Sequence, residues 1–164
     1  MGYYVSMTGS TVAIKREHLA DAYKAMCELN NHDELKTGGS SLGNKWFAWM
    51  PEHYPAECED AKEILETLGF SVSTQGNGDL WISAYDSKIG QEEVFLYAIA
   101  PYVGLVDWAV ERAERRGDSP VPEMEWTGED GEFWKYIFRD NKMYSAAGLK
   151  EYGVVSEVRA MERD

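Results

Sequence analysis

The stretch that most constrains the fold is Gly128 to Met143, G-E-D-G-E-F-W-K-Y-I-F-R-D-N-K-M. It reads as a tight acidic turn, a strand loaded with aromatic residues, and a second turn. Side chains alternate along a strand, so Trp134 and Phe138 share one face and Phe133 and Ile137 the other. Apolar residues on both faces predict a strand inside a sheet rather than at its edge.

The same grammar recurs. Gly-x-x-Trp-x-x-x-large occurs as Gly43/Trp46/Met50, Gly78/Trp81/Tyr85 and Gly131/Trp134/Phe138. A glycine permits the turn and the aromatics then line a sheet face. The expectation is three tryptophan-bearing ribbons, with Trp46, Trp81, Trp134 and Phe138 as structural residues, lying side by side. The spacings match no solenoid or propeller period.

Around these ribbons the rest of the chain is read in order. Tyr3 to Met7 and Ser10 to Ile14 are β-prone runs flanking Thr8-Gly9, which predicts a hairpin. Leu19, Tyr23, Met26 and Asn30, with Ala22, Cys27 and Leu29, give the apolar stripe of a helix over 16–30. A polar, glycine-rich loop follows over 31–44, and a strand over 45–50. Pro51 and Pro55 precede a helix expected over 56–68, with Ala61, Ile64, Leu65 and Leu68 buried and Gly69 as its stop. Phe70–Thr74 and Asp79–Tyr85 form a hairpin turned at Gly76-Asn77-Gly78. Helices are expected from Gly90 to Pro101 and from Leu105 to Arg116, then a strand over Glu123–Thr127. Ser145 onward reads as a weak tail with a short helix.

Together these elements predict one α+β domain over 1–164: an N-terminal hairpin plus helix (1–30), a mobile loop (31–44), a core (45–146) and the tail (147–164). Its architecture is a mainly antiparallel sheet of about six to eight strands with about three or four helices on one face. The element order over 45–127 is also that of a split βαβ unit.

Charge narrows the function classes. The net charge is −13, and the stretches Asp118–Glu132 and Glu52–Glu66 alone contribute −6 and −5. Such a surface argues against direct contact with nucleic-acid phosphates and with anionic membranes. No basic region followed by an apolar run opens the chain, and Cys27 and Cys58 suit reduced thiols, so a cytoplasmic location is expected.

Met1-Gly2-Tyr3-Tyr4 and the hairpin G-E-D-G-E-F-W-K-Y-I-F-R-D-N-K-M resemble features of uncharacterised small acidic proteins of bacteriophages, prophages and bacteria. Those proteins open M-G-Y-[YH] and close with an acidic glycine turn, a Trp, a further aromatic, and a turn ending in Gly-Lys. Asn141 stands here where that last glycine is usual; Asn also tolerates positive φ. The resemblance implies a phage or prophage setting, hence a bacterial cytoplasm, and transfers no catalytic residue.

Motifs for chemistry are sparse. Gly38 and Gly43 are spaced as in a P-loop, but Asn44-Lys45-Trp46 follows instead of Gly-Lys-Ser/Thr, and a strand follows instead of a helix. His18, His32 and His53 show no zinc spacing, so no metal and no cofactor is expected. His53 with Cys58 is a thiol–imidazole candidate set against a helix start crowded with acids, which raise a thiol pKa. What remains is recognition. Glu123 and Glu125 alternate with Met124 and Trp126, so with Glu129, Asp130 and Glu132 they would form an acidic ridge suited to a host protein with a basic surface. The leading expectation is a non-enzymatic accessory protein that binds a host macromolecule, with inhibition as one outcome. One alternative is a small-ligand or nucleotide-sequestering protein using Lys36, Gly38, Gly39, Ser40 and Lys45. The other is a small hydrolase using a carboxylate or His.

Overall fold

The computed structural model describes residues 2–117, 120–149 and 154–160. It bears out the α+β class and the antiparallel sheet. Nine strands form the main sheet: β1 (Tyr4–Ser10), β2 (Val12–Ile14), β5 (Phe70–Thr74), β6 (Leu80–Lys88), β7 (Val103–Leu105), β8 (Glu123–Gly128), β9 (Phe133–Arg139), β10 (Lys142–Leu149) and β11 (Val154–Ala160). Two further short strands, β3 (Gly38–Gly39) and β4 (Lys45–Trp46), pair only with each other. The helices are α1 (Leu19–Glu28), α2 (Tyr54–Glu57), α3 (Ala61–Leu68), α4 (Glu92–Ile99) and α5 (Asp107–Arg116).

The expected N-terminal hairpin does not form. β1 and β2 run on in one direction, both pairing with β6: Tyr4 opposite Lys88, Met7 opposite Tyr85, then Ala13 opposite Trp81. Their other edge is taken by β8 and then β7. A register shift between Met7 and Gly9 absorbs the turn chemistry of Thr8-Gly9 as a bulge instead of a reversal. Pairing along both edges of one bent strand, with β6 on one side and β8 then β7 on the other, offers more ladder bonds than a local hairpin would. Every pairing among the described residues is antiparallel. The neighbour order β8-β1-β6-β5 is that of a split βαβ unit in which β1, rather than the segment at Lys45, supplies the first strand.

The aromatic strand is placed as expected. β9 lies between β8 and β10, with Tyr136 and Phe138 buried and Trp134 packed against the same core. Trp126 on β8 sits directly opposite Trp134, the rings stacked at 6.2 Å and 6°. Phe70, Tyr85 and Tyr136 close around Trp126 edge-on or tilted. Asp140 and Asn141 have φ of 54° and 61°, the paired left-handed residues of a tight hairpin turn, and β10 follows. Over 145–149 and 154–160 the tail is therefore strand, not helix: β10 continues to Leu149 and pairs with β11, while residues 150–153 and 161–164 lie outside the described residues.

The three tryptophan ribbons are not neighbours. Trp134 and Trp81 are separated in the sheet by β8 and β1, and Trp46 belongs to the small β3–β4 ribbon. The strand expected over 45–50 stops after Trp46, because Phe47 turns into the core and Trp49 adopts φ 68°. Trp81 also faces the other way. It meets Trp108 of α5 edge-on at 5.5 Å, while its neighbours Leu80 and Ile82 enter the main core.

Helices α1, α3 and α4 cover one face of the sheet, as expected. They contribute Ala22 and Met26, then Ala61, Ile64, Leu65 and Leu68, then Phe95, Leu96 and Ile99. Burying each larger one of these contributes about 1.5–3 kcal/mol. α5 departs from the expectation and crosses to the opposite face, where Ala109 packs with Ala13 and Val106. The helix expected over 56–68 is broken: Cys58 is extended, and Asp60 caps α3 by accepting the Glu63 N–H at 2.9 Å. An aspartate cap outcompetes continuation across Cys58–Asp60.

Two polar groups tie loops to this frame. Gln91, buried before α4, accepts from the Thr37 and Ala48 N–H groups at 3.1 and 3.0 Å, and donates to the Leu35 carbonyl at 2.6 Å. It thereby holds the 35–48 segment, which is built as a 3-10 turn and the β3–β4 ribbon. Asp79, at the β5–β6 turn, pairs with Lys15 at 2.6 Å and accepts from the Arg16 N–H at 2.8 Å and from Asn77 at 3.0 Å. Burial raises its pKa, but those hydrogen bonds and the Lys15 charge outweigh that and leave it below the ordinary value.

Two predictions follow from these ties. Gln91→Ala strands backbone groups of Thr37, Ala48 and Leu35, and urea unfolding should register a loss of about 1–3 kcal/mol; an unchanged midpoint would contradict the tie. For Asp79, a depressed folded pKa means its contribution is present above the unfolded value of about 3.9 and is lost as pH falls through the folded value. Asp79→Asn should therefore lower the urea midpoint at pH 7, with the difference from the parent shrinking under acid.

Candidate binding surface

β8 alternates as its sequence demands. Met124 and Trp126 are buried, whereas Glu123 and Glu125 point away from the core. The acids do not, however, form one continuous ridge. Lys135 of β9 stands opposite Glu125 and its ammonium pairs with Glu123 at 3.1 Å. One cation thus divides the ridge and offsets the charge at its β8 end.

The unopposed charge lies in the turn. Glu129, Asp130 and Glu132 are all exposed, and among the described residues no lysine, arginine or histidine pairs with them. The turn closes through Gly131 N–H to Gly128 O at 3.0 Å, with Gly131 at φ 87°. It is stitched to the first strand. Glu129 accepts the Tyr4 N–H at 3.1 Å and donates its own N–H to the Tyr4 carbonyl at 3.0 Å. The Tyr3 hydroxyl donates to Asp130, which also accepts the Glu132 N–H at 3.0 Å. A Cβ at Gly128 would overlap the Tyr3 phenol oxygen, so a larger residue there would displace the ring from Asp130.

Electrostatics follow from that geometry. The hydrogen bond to Asp130, then desolvation, then the charges of Asp130 and Glu132, push the Tyr3 phenol up to about 12. The same Tyr3 bond, followed by the Glu132 amide, holds the Asp130 carboxyl below its usual value. At neutral pH the turn is a fixed anionic tip.

An apolar ledge adjoins it. Ile89 donates its N–H to the Tyr3 carbonyl at 2.7 Å, and the Trp49 indole N–H donates to the Ile89 carbonyl at 3.1 Å. Tyr4, Ile89 and Trp49 are all exposed large side chains, Trp49 to 56%. The Lys88 ammonium lies 6.0 Å from the Tyr4 ring centroid. Trp49 occupies the third position of a turn closed by Met50 N–H to Phe47 O at 3.0 Å, where its φ of 68° suits glycine. Holding a bulky residue there costs about 1–3 kcal/mol. Sequence reasoning missed this ledge: Trp49 reads as a strand residue before Met50-Pro51, and no local signal marks a left-handed tryptophan.

The alternative sites are dispersed or already engaged. The Lys36 side chain is buried, its ammonium held by the Asn30 carbonyl and Asp33, both at 2.7 Å, so its charge is not offered to a ligand. Gly38 and Gly39 pair with Trp46 and Lys45, and the Gly38 backbone lies against the Trp46 indole. Ser40 accepts the Leu42 N–H within the ribbon turn; Lys45 is exposed. The Cys58 thiol approaches Thr67 at 3.7 Å, and burial pushes its pKa up, the opposite of an activated nucleophile. A shallow concavity of about 520 Å³ brings Lys24, Cys27, Glu28, Asn30 and His53 together. A narrower one of about 360 Å³ is lined by Leu19, Tyr23, Ala61 and Leu80. Among the described residues, no three His, Cys, Asp or Glu side chains converge as metal ligands, and no helix is long and apolar enough to cross a membrane.

Comparison of the chain with protein-family models, with curated proteins and with solved structures finds no match.

The link between the turn and the first strand can be read directly. The Tyr3 ring-carbon shift should titrate near pH 12 in the parent and move back toward about 10 in Asp130→Asn. A Tyr3 titration indifferent to that substitution would disprove the contact.

Proposed function

We propose that this chain is a non-catalytic binding protein that engages a macromolecule with a basic surface through the Glu129–Glu132 turn and the neighbouring Tyr4. The observation that supports this most is the concentration of three exposed, uncompensated carboxylates in one rigid turn beside exposed apolar side chains. A fixed anionic tip accelerates encounter with a basic partner and disfavours phosphate-bearing ones. The resemblance to phage and prophage proteins makes a protein of a bacterial host the favoured partner, with occlusion of its basic face as the mode of inhibition, in the bacterial cytoplasm.

Neither alternative gains an observation of its own. The loop reading loses Lys36, whose buried ammonium is held by the Asn30 carbonyl and by Asp33. The hydrolase reading asks for a His and two carboxylates in one pocket, whereas the concavity of about 520 Å³ joins His53 to Glu28 alone among carboxylates.

The test compares two variants of equal charge change against a fluorescent oligoarginine peptide at low ionic strength. One is Glu129→Gln with Asp130→Asn and Glu132→Gln. The other neutralises Glu17, Asp21 and Glu28 on and just before α1. The turn variant should lose about ten-fold more affinity than the α1 variant, a difference of about 1.4 kcal/mol. Equal losses would mean diffuse attraction to net charge and would refute the proposed site.

A further inference from the structure

Trp49 is presented in a way that opposes its own stability. Its turn is clamped from beneath: Phe47 is fully buried, and the Ala48 N–H is held by Gln91. Its indole is fixed from the side by the bond to the Ile89 carbonyl, and lies so close over Gly90 that a Cβ there would come within 2.4 Å of the ring. The backbone takes a conformation that glycine would adopt without strain. A tryptophan serving only to pin this turn would bury its ring, yet more than half of this one stays in solvent. Strain that the surroundings enforce at an exposed aromatic is what an interaction site shows, not what folding requires.

We propose that Trp49 is the apolar anchor of the binding surface, held out to enter an apolar pocket on the basic partner, with Ile89 and Tyr4 flanking it. This deepens the reading of the acidic turn and rests on it. The connection is short: Trp49 is bonded to Ile89, Ile89 to Tyr3, and Tyr3 to Asp130. Apolar ledge and anionic tip therefore meet one partner together. That partner carries an apolar depression bordered by lysine or arginine. A second copy of this chain is disfavoured, because it would bring two anionic turns and two net charges of −13 together. A buried tryptophan at the centre of an interface, rimmed by charge, is the arrangement in which a single side chain dominates affinity.

The test uses two peptides of equal charge, one an amphipathic helix of arginine and leucine, the other of arginine and serine. Binding is read by anisotropy and by tryptophan emission. The parent should bind the leucine peptide more tightly, with a blue shift that Trp49→Gly lacks. Trp49→Gly should weaken the leucine peptide by about 30-fold, the scale of an interface hot spot, and weaken the serine peptide little. Its Tm should be unchanged or higher, since glycine relieves the turn. Ile89→Ser, which leaves the strained turn intact, should weaken the leucine peptide in the same sense. Equal losses for both peptides, no loss, or a lower Tm for Trp49→Gly would each overturn the proposal, the last by showing that the ring is a structural latch. The two readings fail separately. If the neutralised turn loses affinity but Trp49→Gly does not, the acidic site stands and the anchor falls. If only Trp49→Gly loses affinity, the anchor stands and the acidic site falls.

Discussion

Two-sided pairing of the first strand is the constraint on which the rest of the structure depends. From Tyr4 to Ile14 the backbone meets β6 along one edge and β8 followed by β7 along the other. Residues from four distant parts of the sequence are thereby fixed relative to one another. The hydrogen-bond donors and acceptors of this segment are satisfied by non-local partners, so the ladder forms only as the domain closes. Val5, Val12 and Ile14 then face α1, α3 and α4, while Ala13 is left for α5.

The aromatic content divides between the two faces this strand creates. Trp126, Trp134, Tyr136, Phe70 and Tyr85 form a cluster within the main core, where stacked and edge-on contacts add to the area they bury. Trp81 and Trp108 make a smaller contact on the far face, with the Arg112 guanidinium 5.0 Å from the Trp108 ring. Trp49 belongs to neither. It is more exposed than Trp108, the other exposed tryptophan, and it alone of the two combines exposure with a left-handed backbone.

The same frame positions the charged surface. Because β8 pairs with β1, the turn after β8 is delivered against Tyr3 and Tyr4; because β1 pairs with β6, the Lys88–Gly90 segment comes beside them. Acidic turn and apolar ledge are thus products of one three-strand junction. The Glu123 end of β8 receives Lys135 and plays a different part, that of an ordinary cross-strand ion pair.

Much of this was legible in the sequence alone. The helical stripe of 16–30, the buried set Ala61, Ile64, Leu65 and Leu68, the hairpin turned at Gly76–Gly78, and the in–out alternation of Glu123–Trp126 all rest on local periodicity and turn chemistry. Local signals survive into the fold when no long-range partner competes with them. Two misreadings share one cause. Thr8-Gly9 became a bulge and the strand at Lys45 ended after Trp46 because contacts remote in sequence, with β6 and β8 in the first case and with Gln91 and the core in the second, outweighed local preference. The tail differs: β10 and β11 arise from pairing between consecutive strands, which the weak pattern after Ser145 did not signal. The site divides in the same way. That Glu129, Asp130 and Glu132 sit together in an acidic turn was determined by the chain itself, through its glycines and the alternation of β8. That Lys135 would neutralise the far end of the ridge, that Tyr3 would clasp the turn, and that Trp49 would stand exposed beside it were decided only by tertiary structure, because strand register and the clamping of a distant turn are set by contacts no local pattern encodes.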